Sequence, residues 1–456
     1  MRKGEIDFIT LGCSKNLVDA ERVMRQLEAV GWTCVHDPEE PKGEVCVINT
    51  CGFIGDAKEE SVNMILQMAE RKKKGKLNTL IVMGCLSERY RAELEEELPE
   101  VDAYYGKFDF EGVVERLKRP TPTLPERREI CNAYERHLTT PKHYAYLKIS
   151  EGCNRMCSYC AIPLITGRHT SRPKAEILEE VKWLVSQGVK ELNVIAQDLS
   201  SYGLDLGPTP DPSLKGRENA PTGRKHLLPE LIDEMAQIPG VEWIRLHYAY
   251  PTDFPEELLD VMAKHANVCK YLDIALQHCT DYMLGLMRRH ITQAEQDALI
   301  RKIREKVPGI CIRTTLLVGH PGETEEDFEA LKAWVKAMRF ERMGCFAYSD
   351  EEGTYANKHY KDDIPQEVKE ARASELMAIQ QEISGELMAQ KVGTTQKVII
   401  DRQDGDYWVG RTQFDSPEVD CEVLVENIGN WKLEIGNFYN VKITRAEEFD
   451  LYGQIV

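Results

Sequence analysis

The sequence has no apolar run of about 18 residues, the length at which a helix begins to span a hydrocarbon core, so no transmembrane helix is expected. Its first residues, MRKGEIDFITLG, lack the apolar centre and small-residue cleavage site of a secretion signal. Positive charge is in deficit: 58 Lys and Arg stand against 76 Asp and Glu, a net charge of −18. That deficit weighs against a general phosphate-backbone binder, although a local basic patch is compatible with it, and it suits a basic protein partner. Disorder of the whole chain is excluded by 42% hydrophobic residues. At ~150 residues per domain, 456 residues imply about three domains.

Cysteine, by contrast, is abundant, with 14 residues. In a long chain without an export signal these read as metal-binding or reactive thiols in a reducing, cytoplasmic setting rather than as disulfides.

Residues 1–118 alternate strand and helix patterns. Ile6–Leu11, Val45–Ile48 and Leu80–Met83 read as strands, and Val18–Val30, Ala57–Arg71 and Tyr90–Leu98 as helices. The alternation predicts a doubly wound parallel sheet. Residues 119–143 hold four prolines and mixed charge and read as a linker, or as an extended arm packed on a domain. Residues 144–380 repeat the alternation, with strands at Tyr144–Ile149, Leu192–Ala196, Trp243–His247, Tyr271–Leu276, Ile310–Val318 and Arg342–Tyr348. Six strands in sequence predict an open (β/α) partial barrel. Residues 205–225, rich in Pro, Gly and charge, read as an insertion. A helix over 366–390 leads out, and 391–456 carries short strands with an Asp404-Gly405 hairpin pair. That pattern predicts a small OB-like β-barrel.

Cys153, Cys157 and Cys160 stand in EGCNRMCSYC, spaced C-x3-C-x2-C, directly after the strand Tyr144–Ile149. In a β/α barrel the reactive groups sit at the carboxyl ends of the strands. Three thiolates on a [4Fe–4S] cluster leave one iron open for chemistry. The bland reading is a zinc loop short of one ligand, or three cysteines without a role. Cys13, Cys51 and Cys85 are dispersed, but each follows one of the first three strands and each adjoins a glycine. Ligands bind beyond the carboxyl ends of a parallel sheet, so these three can also meet around one cluster. Buried structural cysteines would look the same in sequence. Cys34, Cys46, Cys269, Cys279, Cys311, Cys345 and Cys421 lie in or near apolar segments and read as core; Cys131 falls in the linker.

C-x3-C-x2-C at the end of a first barrel strand resembles the radical S-adenosylmethionine (SAM) superfamily. LGCSKN, NTCGF and GCL around Cys13, Cys51 and Cys85 narrow the resemblance to the methylthiotransferases. It covers the whole chain and implies an N-terminal domain with a second cluster, a radical SAM barrel and a C-terminal TRAM domain. ISEGCNRMCSYCAIP, VIAQDLSSYG, YLDIALQH and GCFAYSDEEGTYA resemble the branch that modifies a ribosomal protein, whereas the tRNA-modifying branch differs most in the segment AQDLSSYG. LMRRHITQAEQ departs from the family, where a Pro-Gly pair commonly follows the basic residues.

The resemblance implies two [4Fe–4S] clusters, SAM as methyl donor and radical source, and methylthiolation of the β-carbon of an aspartate in the twelfth protein of the small ribosomal subunit. The sister reaction on a tRNA adenosine is the alternative, and a non-catalytic iron–sulfur or zinc module is the reading from another class. The resemblance further implies that the Cys153/Cys157/Cys160 cluster cleaves SAM and the Cys13/Cys51/Cys85 cluster carries the sulfur. Tyr159 lies where the family places an aromatic residue on the adenine, and Gln277 and Arg313 lie on barrel strands facing either core or cavity, where an inward Arg would bind the SAM carboxylate and an interior salt bridge would look the same in sequence. A flavodoxin- or ferredoxin-type electron donor is implied. GHPGETEEDF reads as a barrel loop shaping the SAM pocket, with Thr324 capping the next helix, and Asn16 as a cap of the helix after Cys13.

From Lys391 to Val456 there are seven Lys and Arg against twelve Asp and Glu. An acidic barrel would repel tRNA and steer a basic ribosomal protein toward the site, so no nucleic acid is expected as primary substrate. The bland alternative is that these carboxylates only solvate the surface.

Overall fold

The structure is a computed structural model that describes residues 1–118, 132, 134–206, 225–426 and 432–456. Cys131 and most of the 205–225 insertion lie outside the described residues.

The N-terminal sheet contains β1 (Arg2–Thr10), β2 (Thr33–His36), β3 (Gly43–Thr50), β4 (Thr79–Gly84) and β5 (Ala103–Tyr104), all parallel, in the order β2-β1-β3-β4-β5. Both faces are covered, as a parallel sheet requires. Ile6, Phe8, Val45 and Val47 meet Val23, Met24 and Leu27 of α1 (Ser14–Ala29) on one face. Ile9, Ile48 and Val82 meet Ile65, Met68 and Ala69 of α2 (Gly55–Lys73) on the other. The chain reverses its direction across the sheet between β1 and β3, the place where ligands bind in such folds. The third helix, α3 (Cys85–Glu97), starts five residues before the predicted one and is kinked at Tyr90, where the sequence pattern placed its start.

The middle sheet runs β13-β12-β11-β10-β9-β6 and is parallel throughout its paired core: β6 (Tyr144–Lys148), β9 (Glu191–Ile195), β10 (Trp243–Ala249), β11 (Val268–Ile274), β12 (Cys311–Val318) and β13 (Arg342–Ala347). A two-stranded ribbon of β7 (Ser150–Glu151) and β8 (Thr170–Ser171) braces the loop that follows β6. The six strands form an open sheet, as the sequence predicts. The helix Gln366–Ala389 leads to a closed barrel of β14 (Thr395–Asp404), β15 (Tyr407–Thr412), β16 (Glu422–Glu426), β17 (Phe438–Ala446) and β18 (Asp450–Ile455). Asp404 and Tyr407 face each other across the predicted Asp404-Gly405 turn, and Gly405 adopts φ +54°.

Buried ion pairs join the parts. Arg136, within the stretch read as a linker, is fully buried and bridges Glu21 of α1 (3.0 Å) and Glu180 of the middle domain (3.1 Å). The end of that stretch is therefore a packed arm. Glu191 holds Arg245 (2.9 Å) and, from the C-terminal barrel, Arg411 (2.8 Å). Trp243 meets Phe438 edge-on across the same interface. Among the described residues, no helix is long and apolar enough to cross a membrane.

Candidate active site

Cys153, Cys157 and Cys160 occupy the loop between β7 and the short helix Ile162–Thr166. Gly152 starts the loop at φ +73°, and a Cβ there would lie 2.1 Å from the Arg168 carbonyl oxygen, so no other residue fits. The loop closes on itself through Cys160 N–H to Cys157 C=O (3.1 Å) and Cys153 N–H to Gly167 C=O (3.2 Å). Cys157 Sγ accepts from Arg289 Nη1 (3.4 Å) and touches Tyr250 Oη (3.5 Å). Arg289 Nη1 also reaches Tyr159 Oη (3.4 Å), and its guanidinium lies 4.0 Å from the centre of the Tyr250 ring. Arg155 stacks on Tyr250 at 4.3 Å and pairs with Asp198 at 2.6 Å. Burial pushes the Cys153 thiol up to about 12, and binding a metal there would release its proton.

The GHPGETEEDF loop supports this site from below. His320 Nε2 meets Ser158 Oγ at 2.9 Å, beside Cys157, and burial lowers the imidazole to about 4, so it stays neutral. Thr324 caps the following helix in a reciprocal capping box with Asp327, as the sequence predicts.

Cys13, Cys51 and Cys85 come together at the carboxyl ends of β1, β3 and β4. Cys13 is the N-cap of α1, Cys51 follows β3, and Cys85 is the first residue of α3. Glycines permit the approach: a Cβ on Gly12 would lie 2.9 Å from Cys51 Sγ, and one on Gly52 would lie 2.8 Å from the Cys85 backbone. Burial pushes the Cys85 thiol up to about 12 and raises that of Cys51. At Cys13 burial acts the same way, but Lys15, the Asn16 N–H and Lys107 outweigh it and lower the thiol. Asn16 is not a helix cap. It lies in the first turn of α1, and its amide donates to the carbonyls of Leu11 and Thr50 (both 3.1 Å), tying the ends of β1 and β3 together. Its Oδ1 faces Cys85 Sγ at 3.5 Å.

Of the residues read from sequence as SAM contacts, Tyr159 lies at the cysteine loop. Gln277 lies beyond β11 at φ +73°, where its N–H and C=O bridge Thr315 and Leu317 (2.9 and 2.8 Å). Arg313 is elsewhere. It sits in the amino-terminal half of β12 and pairs with Asp420 of the C-terminal barrel (3.3 Å) and Asp273 (3.7 Å), so its charge is committed to an interior ion pair. The arginine whose guanidinium reaches a thiol of the loop is Arg289, which sequence reasoning missed; its one signal is the paired basic residues after a short helix.

The donors suit iron–sulfur chemistry, since both triplets are thiols. Among the described residues, no three His, Cys, Asp or Glu side chains close on one point as a single metal ion requires. Cluster thiolates each take a different iron.

The chain matches three family models: Uncharacterized protein family UPF0004 over residues 5–106, the radical SAM superfamily over 147–335 and the TRAM domain over 392–456. The protein of Bacteroides fragilis called ribosomal protein uS12 methylthiotransferase RimO is 60% identical over 456 residues, covering 100% of both chains. Proteins of the same name from Phocaeicola vulgatus (60%, 100% of both chains) and Flavobacterium johnsoniae (49%, 100% of this chain and 98% of that one) are also similar. Among solved structures, the radical SAM methyltransferase TsrM of Kitasatospora setae, with cobalamin and a [4Fe-4S] cluster bound, superposes with a TM-score of 0.51 at 15% identity. That match covers 76% of this chain and 75% of that one, and it shows the fold alone. With full-length identity of this order and a cysteine triplet at the carboxyl ends of each parallel sheet, the chain belongs to the RimO family of radical SAM methylthiotransferases.

Proposed function

We propose that this enzyme attaches a methylthio group to the β-carbon of an aspartate in ribosomal protein uS12. Membership of the RimO family supports the substrate, and one structural observation carries the chemistry: two cysteine triplets lie at the reactive ends of two adjoining parallel sheets. SAM on a [4Fe–4S] cluster supplies radical hydrogen abstraction from an unactivated carbon.

Cys153, Cys157 and Cys160 would hold the cluster that takes SAM, and Cys13, Cys51 and Cys85 the one that carries sulfur. Arg289 orients Cys157 and Tyr159 and places positive charge at a thiolate, while Tyr250 and Arg155 form an aromatic–cation wall beside it. Tyr159 is proposed to contact the adenine and Gln277 to line the SAM pocket. A flavodoxin- or ferredoxin-type protein would deliver the electron.

The test offers uS12 and tRNA side by side in an anaerobic assay with SAM, sulfide and reductant, followed by mass spectrometry. Mass gain on uS12 alone is the expected result; gain on tRNA alone would replace this reading with the sister reaction. Replacing Cys153 with Ala should abolish 5′-deoxyadenosine formation and leave iron in the protein. Cys51→Ala should still form 5′-deoxyadenosine but transfer no methylthio group; full product from that variant would sink the division of roles.

A further inference from the structure

Lys15 stands two residues after Cys13 in the first turn of α1, and its residue is only 9% exposed. Its ammonium makes no hydrogen bond to, and no ion pair with, any described residue. It lies 3.2 Å from the centroid of the Tyr248 ring. A buried ammonium without an anion is costly, so such groups are normally paired. The neighbouring lysines obey that rule: Lys107 pairs with Asp19 at 2.9 Å, and Lys148 pairs with Asp19 and Glu151. Asp273, the interior carboxylate whose charge Lys15 affects, is held by the Tyr248 N–H (3.2 Å) and Arg313.

The location of Lys15 is as telling as its lack of a partner. Tyr248 presents its ring from φ +65°, a conformation that bulky residues rarely keep without a reason. Two residues further on, Tyr250 touches Cys157. Lys15 therefore lies on the short path from one cysteine triplet to the other. A carbon that loses hydrogen at one site and gains sulfur from the other must enter this gap.

Building on the function proposed above, we infer that Lys15 binds the side-chain carboxylate of the substrate aspartate and so sets the β-carbon in the gap between the two cysteine triplets. Stacking on Tyr248 restrains the side chain, so little freedom is lost when the carboxylate arrives. The assignment makes Lys15 a specificity residue: an asparagine at the target position would offer no charge for it. The competing role is electrostatic support of Cys13 alone, which would not distinguish the two peptides.

The experiment measures binding and modification of two synthetic peptides spanning the target of uS12, one with aspartate and one with asparagine at that position. Wild-type enzyme and the variants Lys15→Met and Lys15→Arg are compared by fluorescence anisotropy under anaerobic conditions. Wild type should prefer the aspartate peptide by roughly tenfold to a hundredfold, the range for a charge-assisted hydrogen bond. Lys15→Met should bind both peptides equally, and Lys15→Arg should regain part of the preference. The ratio within one variant cancels any loss of folded or iron-loaded protein. A Lys15→Met ratio equal to that of wild type overturns the assignment, as does a wild type without preference. Wild-type enzyme that binds the aspartate peptide but never modifies it overturns the proposed function, and the assignment falls with it.

Discussion

Arg289 is buried with its guanidinium against three groups that matter, the Cys157 thiol, the Tyr159 hydroxyl and the Tyr250 ring. A hydrogen bond from a cation to a cluster sulfur stabilises the more negative, reduced state, because added charge is neutralised locally. Arg289→Met should therefore lower the midpoint potential of the SAM-binding cluster and cut 5′-deoxyadenosine formation about 10–100-fold, with iron content near that of wild type. Redox titration and chromatography of the nucleoside check the two parts; an unchanged potential would show that Arg289 serves packing only. Sequence patterns could not separate Arg289 from Arg313. Both are arginines next to barrel elements, and their difference is set by partners more than 100 positions away: Cys157 for one, Asp420 for the other. The cysteines were legible because close spacing marks one triplet and strand ends mark the other.

At the level of elements, legibility in the sequence follows strand length and burial. Long strands with buried apolar residues, such as β3 and β12, announced themselves, whereas β2, β5 and the β7–β8 ribbon have four, two and two residues per strand and too little pattern to detect. The last strand, β18, reads DLYGQI and mixes polar and apolar residues at the chain's end. The start of α3 was placed at its kink because Cys85, Leu86 and Ser87 are buried at the site instead of following an amphipathic pattern. The glycines at these junctions make a sharp prediction. Gly84 sits at φ +103°, and a Cβ there would lie 2.4 Å from Asn49 Oδ1 and 2.6 Å from the Thr50 carbonyl oxygen. Gly84→Ala must push β3 and α3 apart, and Cys51 and Cys85 ride on those two elements. The variant should lose the iron of the N-terminal site while retaining that of the Cys153 loop, so iron per chain falls by about half on the two-cluster reading. Full iron retention would mean that Cys51 and Cys85 do not share a cluster.

Across the whole molecule, part of the acidity of the C-terminal barrel is structural. Asp401 binds Arg411 and His143, Asp415 binds Arg342, Asp420 binds Arg313, and Glu418 accepts from the Tyr144 and Tyr146 hydroxyls, so at least four of its twelve carboxylates tie the barrel to the rest of the chain. The anchor centres on Glu191, fully buried between Arg245 and Arg411. Burial alone would raise its carboxyl, but the two arginines outweigh that and hold it below the usual range; Asp415 is likewise depressed by Arg342, and Asp401 by His143 and Arg411. Carboxylates depressed in the folded state contribute stability that is present above their unfolded values, near 4, and is lost as pH falls through the folded ones. Docking of the barrel should therefore weaken below about pH 4. Glu191→Gln leaves the buried Arg245 without its carboxylate and Arg411 with Asp401 alone, and should cost about 3–5 kcal/mol at neutral pH. It also removes one titrating group, so stability of the variant should fall less steeply between about pH 5 and pH 3. Urea unfolding followed by tryptophan fluorescence reports on this interface through Trp243, which packs 4.8 Å from Phe438. A variant as stable as wild type at pH 7, or one with the same acid slope, would show that the Glu191 pairs do not hold the domains together.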